Sequence, residues 1–231
     1  MALKPKKELI FSPERTLGEE LETRAERLGN KTYLSFEGQE ISYSELNTSA
    51  ANVAQFMVDN GLKEGDSVGL LMPNIPAFLQ VFFATQRIGA CAVPTNTSLK
   101  DEGLAHIFNN AGITMLFTVA SLLPEVERIK DQIEKKVKVV LVPEFENEPL
   151  GTELDSLKYL SYQQALLTTS KTLAKTDIAP DTTSMLMYTS GTTGLPKGVV
   201  YPYGTSQAKM LRVLAHLLVK EDDIYYTCLP L

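Results

Sequence analysis

Between residues 68 and 142 the chain alternates short apolar or β-branched runs with longer segments of helical periodicity, and few folds accept that alternation. Val68-Gly69-Leu70-Leu71-Met72 is apolar throughout, as a strand buried on both faces must be, and Pro73 ends it. Pro76 opens a helix through Phe78, Leu79, Phe82, Phe83 and Ile88 that Gly89 stops. Ala90 to Val93 reads as a strand closed by Pro94. A helix from about Lys100 to Ala111 follows, then a strand from Ile113 to Val119. An amphipathic helix near Glu125 to Lys135 and a β-branched strand from Val137 to Val142 complete the series. Strands separated by helical crossovers pair in parallel. The expected fold is therefore α/β: alternating β-α units forming parallel-type sheets flanked by helices.

The flanks read differently. Thr16-Leu17-Gly18-Glu19 has the form of a capping box, so a helix should run to about Arg27 and end at Gly29. Tyr33 to Tyr43 alternates apolar and polar residues around Glu37-Gly38-Gln39, a β-hairpin pattern. Ser42 and Ser44 open a helix with Leu46, Ala50, Val53, Ala54 and Met57 on one face, ended by a left-handed Gly61. Residues 144–181 are polar, acidic and Pro-containing around one helical pattern, Leu160 to Leu167, and are read as a surface excursion. Beyond them come strand Ser184 to Tyr188, a Gly/Ser/Thr loop, strand Gly198 to Tyr201, a helix from about Ser206 to Val219, and strand Ile224 to Leu229. The sequence stops on apolar residues directly after that strand pattern, which reads as the N-terminal piece of a longer protein.

Composition excludes several classes of function. A net charge of −6 and a pI near 5.1 provide no basic field for nucleic acid. Lys4, Lys6 and Lys7 form only a solubilising end. The apolar region from Val68 to Val93 is broken by Pro73, Asn74, Pro76, Gln80, Gln86 and Arg87, so it holds no transmembrane segment. Leu9-Ile10-Phe11 is too short for a signal peptide. Cys91 and Cys228 each sit in an apolar stretch and read as buried thiols of a reducing, cytoplasmic compartment. His106 and His216 read as ordinary helix residues.

The stretch Tyr188-Thr189-Ser190-Gly191-Thr192-Thr193-Gly194-Leu195-Pro196-Lys197-Gly198-Val199 carries the chemistry. It places four aliphatic hydroxyls, three glycines and one lysine between two strands. Glycines let successive amides approach phosphate oxygens, the hydroxyls add neutral donors, and Lys197 adds a charge. Charge-assisted bonds of this kind contribute roughly 1.5–3 kcal/mol each. The nucleotide-triphosphatase P-loop is excluded, because its second glycine would fall on Pro196 and its Ser/Thr on Gly198.

This segment resembles the phosphate-binding motif of the acyl-adenylate-forming superfamily of acyl-CoA synthetases, peptide-synthetase adenylation domains and beetle luciferases. Ile41-Ser42-Tyr43-Ser44-Glu45-Leu46 and Ile88-Gly89-Ala90-Cys91-Ala92-Val93-Pro94 resemble two structural segments of the same family, in the same order. The resemblance runs from about Thr16 and implies a tail at residues 1–15 followed by a truncated AMP-binding domain. Residues 16–181 would form its first subdomain, and 182–231 would begin the region bearing the phosphate loop.

The resemblance implies a two-step reaction. A carboxylate attacks the α-phosphorus of Mg-ATP, pyrophosphate leaves, and a thiol, usually of coenzyme A, takes the acyl group. Thr189 would help hold Mg²⁺ and Lys197 would contact the departing pyrophosphate. Pro94-Thr95-Asn96-Thr97-Ser98-Leu99 is closer to acyl-CoA synthetases than to peptide synthetases, and residues 223–231 resemble the fatty-acid-transport and very-long-chain group. A fatty acid is the implied substrate, with peripheral membrane association compatible with that role. The alternatives are an acyl-AMP ligase serving a carrier protein and a catalytically silent nucleotide-binding fragment. The family's remaining catalytic motifs are absent, so this stretch alone is expected to be inactive, and its oligomeric state is not legible.

Overall fold

Local capping starts the fold. The computed structural model describes residues 15–144, 159–169, 177–189, 194–204 and 223–226. Helix α1 (Leu17–Leu28) begins at Thr16, whose Oγ1 accepts from the Glu19 amide at 3.2 Å while its own amide donates to Glu19 Oε2 at 2.9 Å. Gly29 ends α1 with φ 52°. Strands β1 (Thr32–Phe36) and β2 (Gln39–Ser42) form the expected hairpin, turned by Glu37 and Gly38 at φ 49° and 84°. Two consecutive positive φ values are what a tight hairpin compatible with strand twist requires. Helix α2 (Tyr43–Asp59) repeats the capping box with Ser42 and Glu45, and Gly61 follows it at φ 87°.

The expected series of strands and helices comes next: β3 (Ser67–Leu71), α3 (Pro76–Ile88), β4 (Cys91–Pro94), α4 (Asp101–Ala111) and β5 (Ile113–Val119). It continues through α5 (Leu123–Ile129), β6 (Lys138–Val142), β7 (Leu160–Ser161), α6 (Tyr162–Leu167), β8 (Thr183–Thr189) and β9 (Lys197–Pro202). Among the described residues seven strands make one sheet in the order β7-β6-β5-β3-β4-β8-β9. Every pairing in it is parallel except β8–β9, which is antiparallel.

Both faces of the parallel strands β3 to β6 are covered, as such strands require. One face packs Val68, Leu70, Phe117 and Val140 against α2, α3 and α6. The other packs Leu71, Val93 and Leu116 against Leu104, Ile107 and Phe108 of α4 and Val126 and Ile129 of α5. Each such fully buried side chain contributes roughly 1.5–3 kcal/mol. Because α3 and α4 lie on opposite faces, the chain winds away from β3 in both directions, and the carboxyl ends of its parallel strands share one edge.

Three expectations need correction. The helix read near Glu125 to Lys135 is α5, flanked by 3-10 turns at Ala120–Leu122 and Lys130–Gln132. Pro124 suits its first turn, where a missing amide costs nothing, and after Ile129 the chain tightens into the 3-10 turn while Ile133 still packs on the same cluster. The pattern from Leu160 begins as an edge strand paired to β6, and its helix starts at Tyr162. One face of that helix joins the core, where Tyr162 packs edge-on against Phe117 and Ala165 is fully buried, while Gln163, Gln164 and Leu167 are exposed. Finally, Asp223–Tyr226 carry no regular structure, and Ile224, Tyr225 and Tyr226 are exposed. The rest of the strand read there, and the helix read at 206–219 with His216, lie outside the described residues, as does Cys228.

Candidate phosphate-binding site

β8 and β9 present the glycine-hydroxyl segment. Thr189 and Lys197 face each other as the last cross-strand pair, so residues 190–196 connect the two strands. Ser190, Gly191, Thr192 and Thr193 lie outside the described residues. Since β8 is parallel to β4, Thr189 leaves it at the carboxyl edge of the sheet, where open α/β sheets bind ligands. Gly194 has φ 140°, a conformation other residues avoid, with open space around its missing Cβ. Leu195 is exposed and Pro196 half-buried.

The strand residues are arranged by size. Gly198 faces Tyr188 across the pair, and a Cβ on Gly198 would lie 3.2 Å from the tyrosine ring. The glycine thus lets the ring lie over β9. From there Tyr188 Oη donates to Asn110 Oδ1 of α4 at 2.6 Å. Burial, reinforced by Cys91, raises the Tyr188 pKa and keeps that donor protonated. Val199 and Lys197 are exposed. Among the described residues Lys197 forms no ion pair, so its charge is available to an anion.

Contacts that sequence reading misses hold the hairpin. His106 Nε2 sits 3.0 Å from the Pro196 carbonyl oxygen. At the other end, Gln86 embraces Ser184: it donates to the Ser184 carbonyl at 3.3 Å and accepts from Ser184 Oγ at 2.8 Å. Tyr203 Oη reaches the carbonyls of Ala90 and Thr85 at 2.9 and 3.2 Å. The only local signal for these would be a polar residue inside an apolar helix, such as Gln86.

The described residues contain no group of three or more His, Cys, Asp or Glu able to hold a metal. Magnesium keeps several waters and binds through few protein groups together with substrate phosphates. A hydroxyl such as Thr189 at the loop's root fits an ion that arrives with phosphate, not one caged by protein.

The model of the AMP-binding enzyme family matches residues 21–231. The chain belongs to this family. Among curated relatives of this AMP-binding enzyme is the crotonobetaine/carnitine–CoA ligase of Citrobacter koseri, 31% identical over 212 residues, covering 89% of this chain and 40% of that protein. An anthranilate CoA ligase solved with anthranoyl-AMP superposes with a TM-score of 0.73 at 25% identity, over 84% of this chain and 36% of that one. A long-chain-fatty-acid–CoA ligase from Archaeoglobus fulgidus shares the fold with a TM-score of 0.79 at 21% identity, over 98% of this chain and 45% of that one. The mixed, mainly parallel sheet flanked by helices is thus the N-terminal architecture of adenylate-forming enzymes. The chain spans about two fifths of the length of the curated relatives it matches.

Proposed function

We propose that the whole protein is an ATP-dependent acid–thiol ligase that converts a fatty acid to acyl-AMP and then to acyl-CoA. The observation that carries this reading is the β8–β9 hairpin: within an AMP-binding enzyme, it presents Thr189 and an exposed Lys197, without an ion pair among the described residues, at the sheet's carboxyl edge. A carboxylate oxygen attacks the α-phosphorus, the bond from that phosphorus to the oxygen bridging to the β-phosphate breaks, and pyrophosphate departs. Negative charge builds on the departing phosphates, and Lys197 Nζ stabilises it there. By residue type, Gly191 and Gly194 would free amides of this segment to add donors, and Thr189, Ser190, Thr192 and Thr193 would add hydroxyls. When bound, Mg²⁺ would neutralise further phosphate charge, with Thr189 the residue of the loop's root that would face it. In the second step the coenzyme A thiol attacks the acyl carbonyl and AMP leaves.

Support for the acid and thiol comes from the relatives, which are CoA ligases for crotonobetaine or carnitine, anthranilate and long-chain fatty acids. The run Asn96-Thr97-Ser98-Leu99 and the segment at 223–231 favour the fatty-acid branch. The test is ATP–pyrophosphate exchange by the whole protein with short-, medium- and long-chain acids, with and without coenzyme A. Exchange dependent on a fatty acid, with acyl-CoA formed once the thiol is added, is expected. Exchange with no acid would overturn the reading.

A further inference from the structure

The loop end of the β8–β9 hairpin is held by few strand neighbours. Among the described residues, β8 meets β4 through a single register pair, Ala92 with Met185, and from Leu186 onward its ladder partner is β9. Leu186 and Tyr188 rest instead on the apolar cluster that contains Leu104, Ile107 and Phe108 of α4. The anchors made by Gln86 and Tyr203 engage the opposite end, at Ser184 and beyond Pro202.

α4 supplies the missing hold. His106 and Asn110 are four residues apart, so they share one face of the helix. Each bonds one side of the hairpin beside the Thr189–Lys197 pair. Asn110 Oδ1 accepts from Tyr188, the residue before Thr189. His106 faces the Pro196 carbonyl, the residue before Lys197. A carbonyl only accepts, so Nε2 must carry the proton and donate. The two bonds thus bracket the Thr189–Lys197 pair that closes the loop.

We propose that His106 and Asn110 are positioning residues for adenylation, fixing the backbone at Pro196 and the ring of Tyr188 so that Lys197 and Thr189 meet the departing pyrophosphate in one geometry. The proposal rests on the ligase reading above. Neither side chain touches the nucleotide; both act through the hairpin. A misplacement of about 1 Å at a reacting centre can cost on the order of 10²-fold in rate.

The test uses the whole protein with His106→Leu, His106→Gln, Asn110→Leu and Asn110→Asp. Glutamine places an N–H donor near the position of Nε2, and aspartate keeps the acceptor, whereas leucine removes each bond. Without nucleotide, hydrogen–deuterium exchange of peptides covering residues 186–200 should quicken about five- to tenfold in the leucine variants, the loss expected of one hydrogen bond. Peptides of β3 and β5 should not change. In pyrophosphate exchange, kcat should fall about tenfold or more with the KM for the acid unchanged, and the Gln and Asp variants should recover most of it.

Unchanged loop exchange in the leucine variants overturns the proposal, as does a loosened loop with full activity. A wild-type protein silent with every acid fails the ligase reading, and with it the assignment to adenylation. The deuterium measurement separates that failure from failure of the α4 contacts themselves.

Discussion

Cys91 lies 2% exposed, and burial pushes its thiol up to about 11, against weaker lowering contacts from Ser67 and Leu186. The thiolate is the reactive form, so at neutral pH this side chain behaves as a small hydrophobe. Iodoacetamide at about pH 8, followed by peptide mapping, should leave Cys91 unlabelled in the native protein and label it after denaturation. Native labelling as fast as in the unfolded chain would contradict this. The burial of Cys91 was legible, because its apolar neighbours announce a strand. The role of His106 was not. Its helix and apolar neighbours are local facts, but its partner is the Pro196 carbonyl, ninety residues away. No spacing rule reaches that far.

Elements with their own start and stop signals were readable to within a residue or two. α3 runs from Pro76 to a left-handed Gly89, and β5 spans Ile113–Val119 as its apolar run indicates. α2 owes its start to Ser42, and Ser42→Ala should lower stability by about 1 kcal/mol, measured by urea denaturation at neutral pH. Bonds from the Ser42 amide and hydroxyl hold Glu45 below the ordinary carboxylate value of 4.5. A depressed folded pKa contributes stability above the unfolded value and loses it as pH falls through the folded one. The gap between wild type and Ser42→Ala should therefore narrow by about pH 3.5. An equal gap at both pH values would remove Glu45 from the account. β7 escaped detection because a two-residue strand has no period of its own; it exists through its pairing with Val140 and Leu141. α5 gives way to a 3-10 turn after Ile129 although Ile133 still packs on the core, and no residue spacing announces that change.

At the scale of the whole molecule, the sequence announced helix-covered parallel strands but not their order. Which side of β3 receives β4 and which β5 depends on the crossover faces taken by α3 and α4, a choice made by packing across the sheet. The same packing sets β8 beside β4, so the antiparallel β8–β9 hairpin brings its loop to the carboxyl edge. Site and fold are thus coupled: residues that shape the hairpin, including Gly198 under Tyr188, also set where Thr189 and Lys197 lie. We propose for Lys197 the narrower role of stabilising the leaving phosphates. Its most direct test is acid-dependent ATP–pyrophosphate exchange by the whole protein carrying Lys197→Ala, beside wild type, with unfolding midpoints measured for both. Because Lys197 is exposed, the midpoints should coincide, while exchange should fall on the order of 10²–10³-fold, as for loss of one preorganised donor. Exchange close to the wild-type rate would contradict the account.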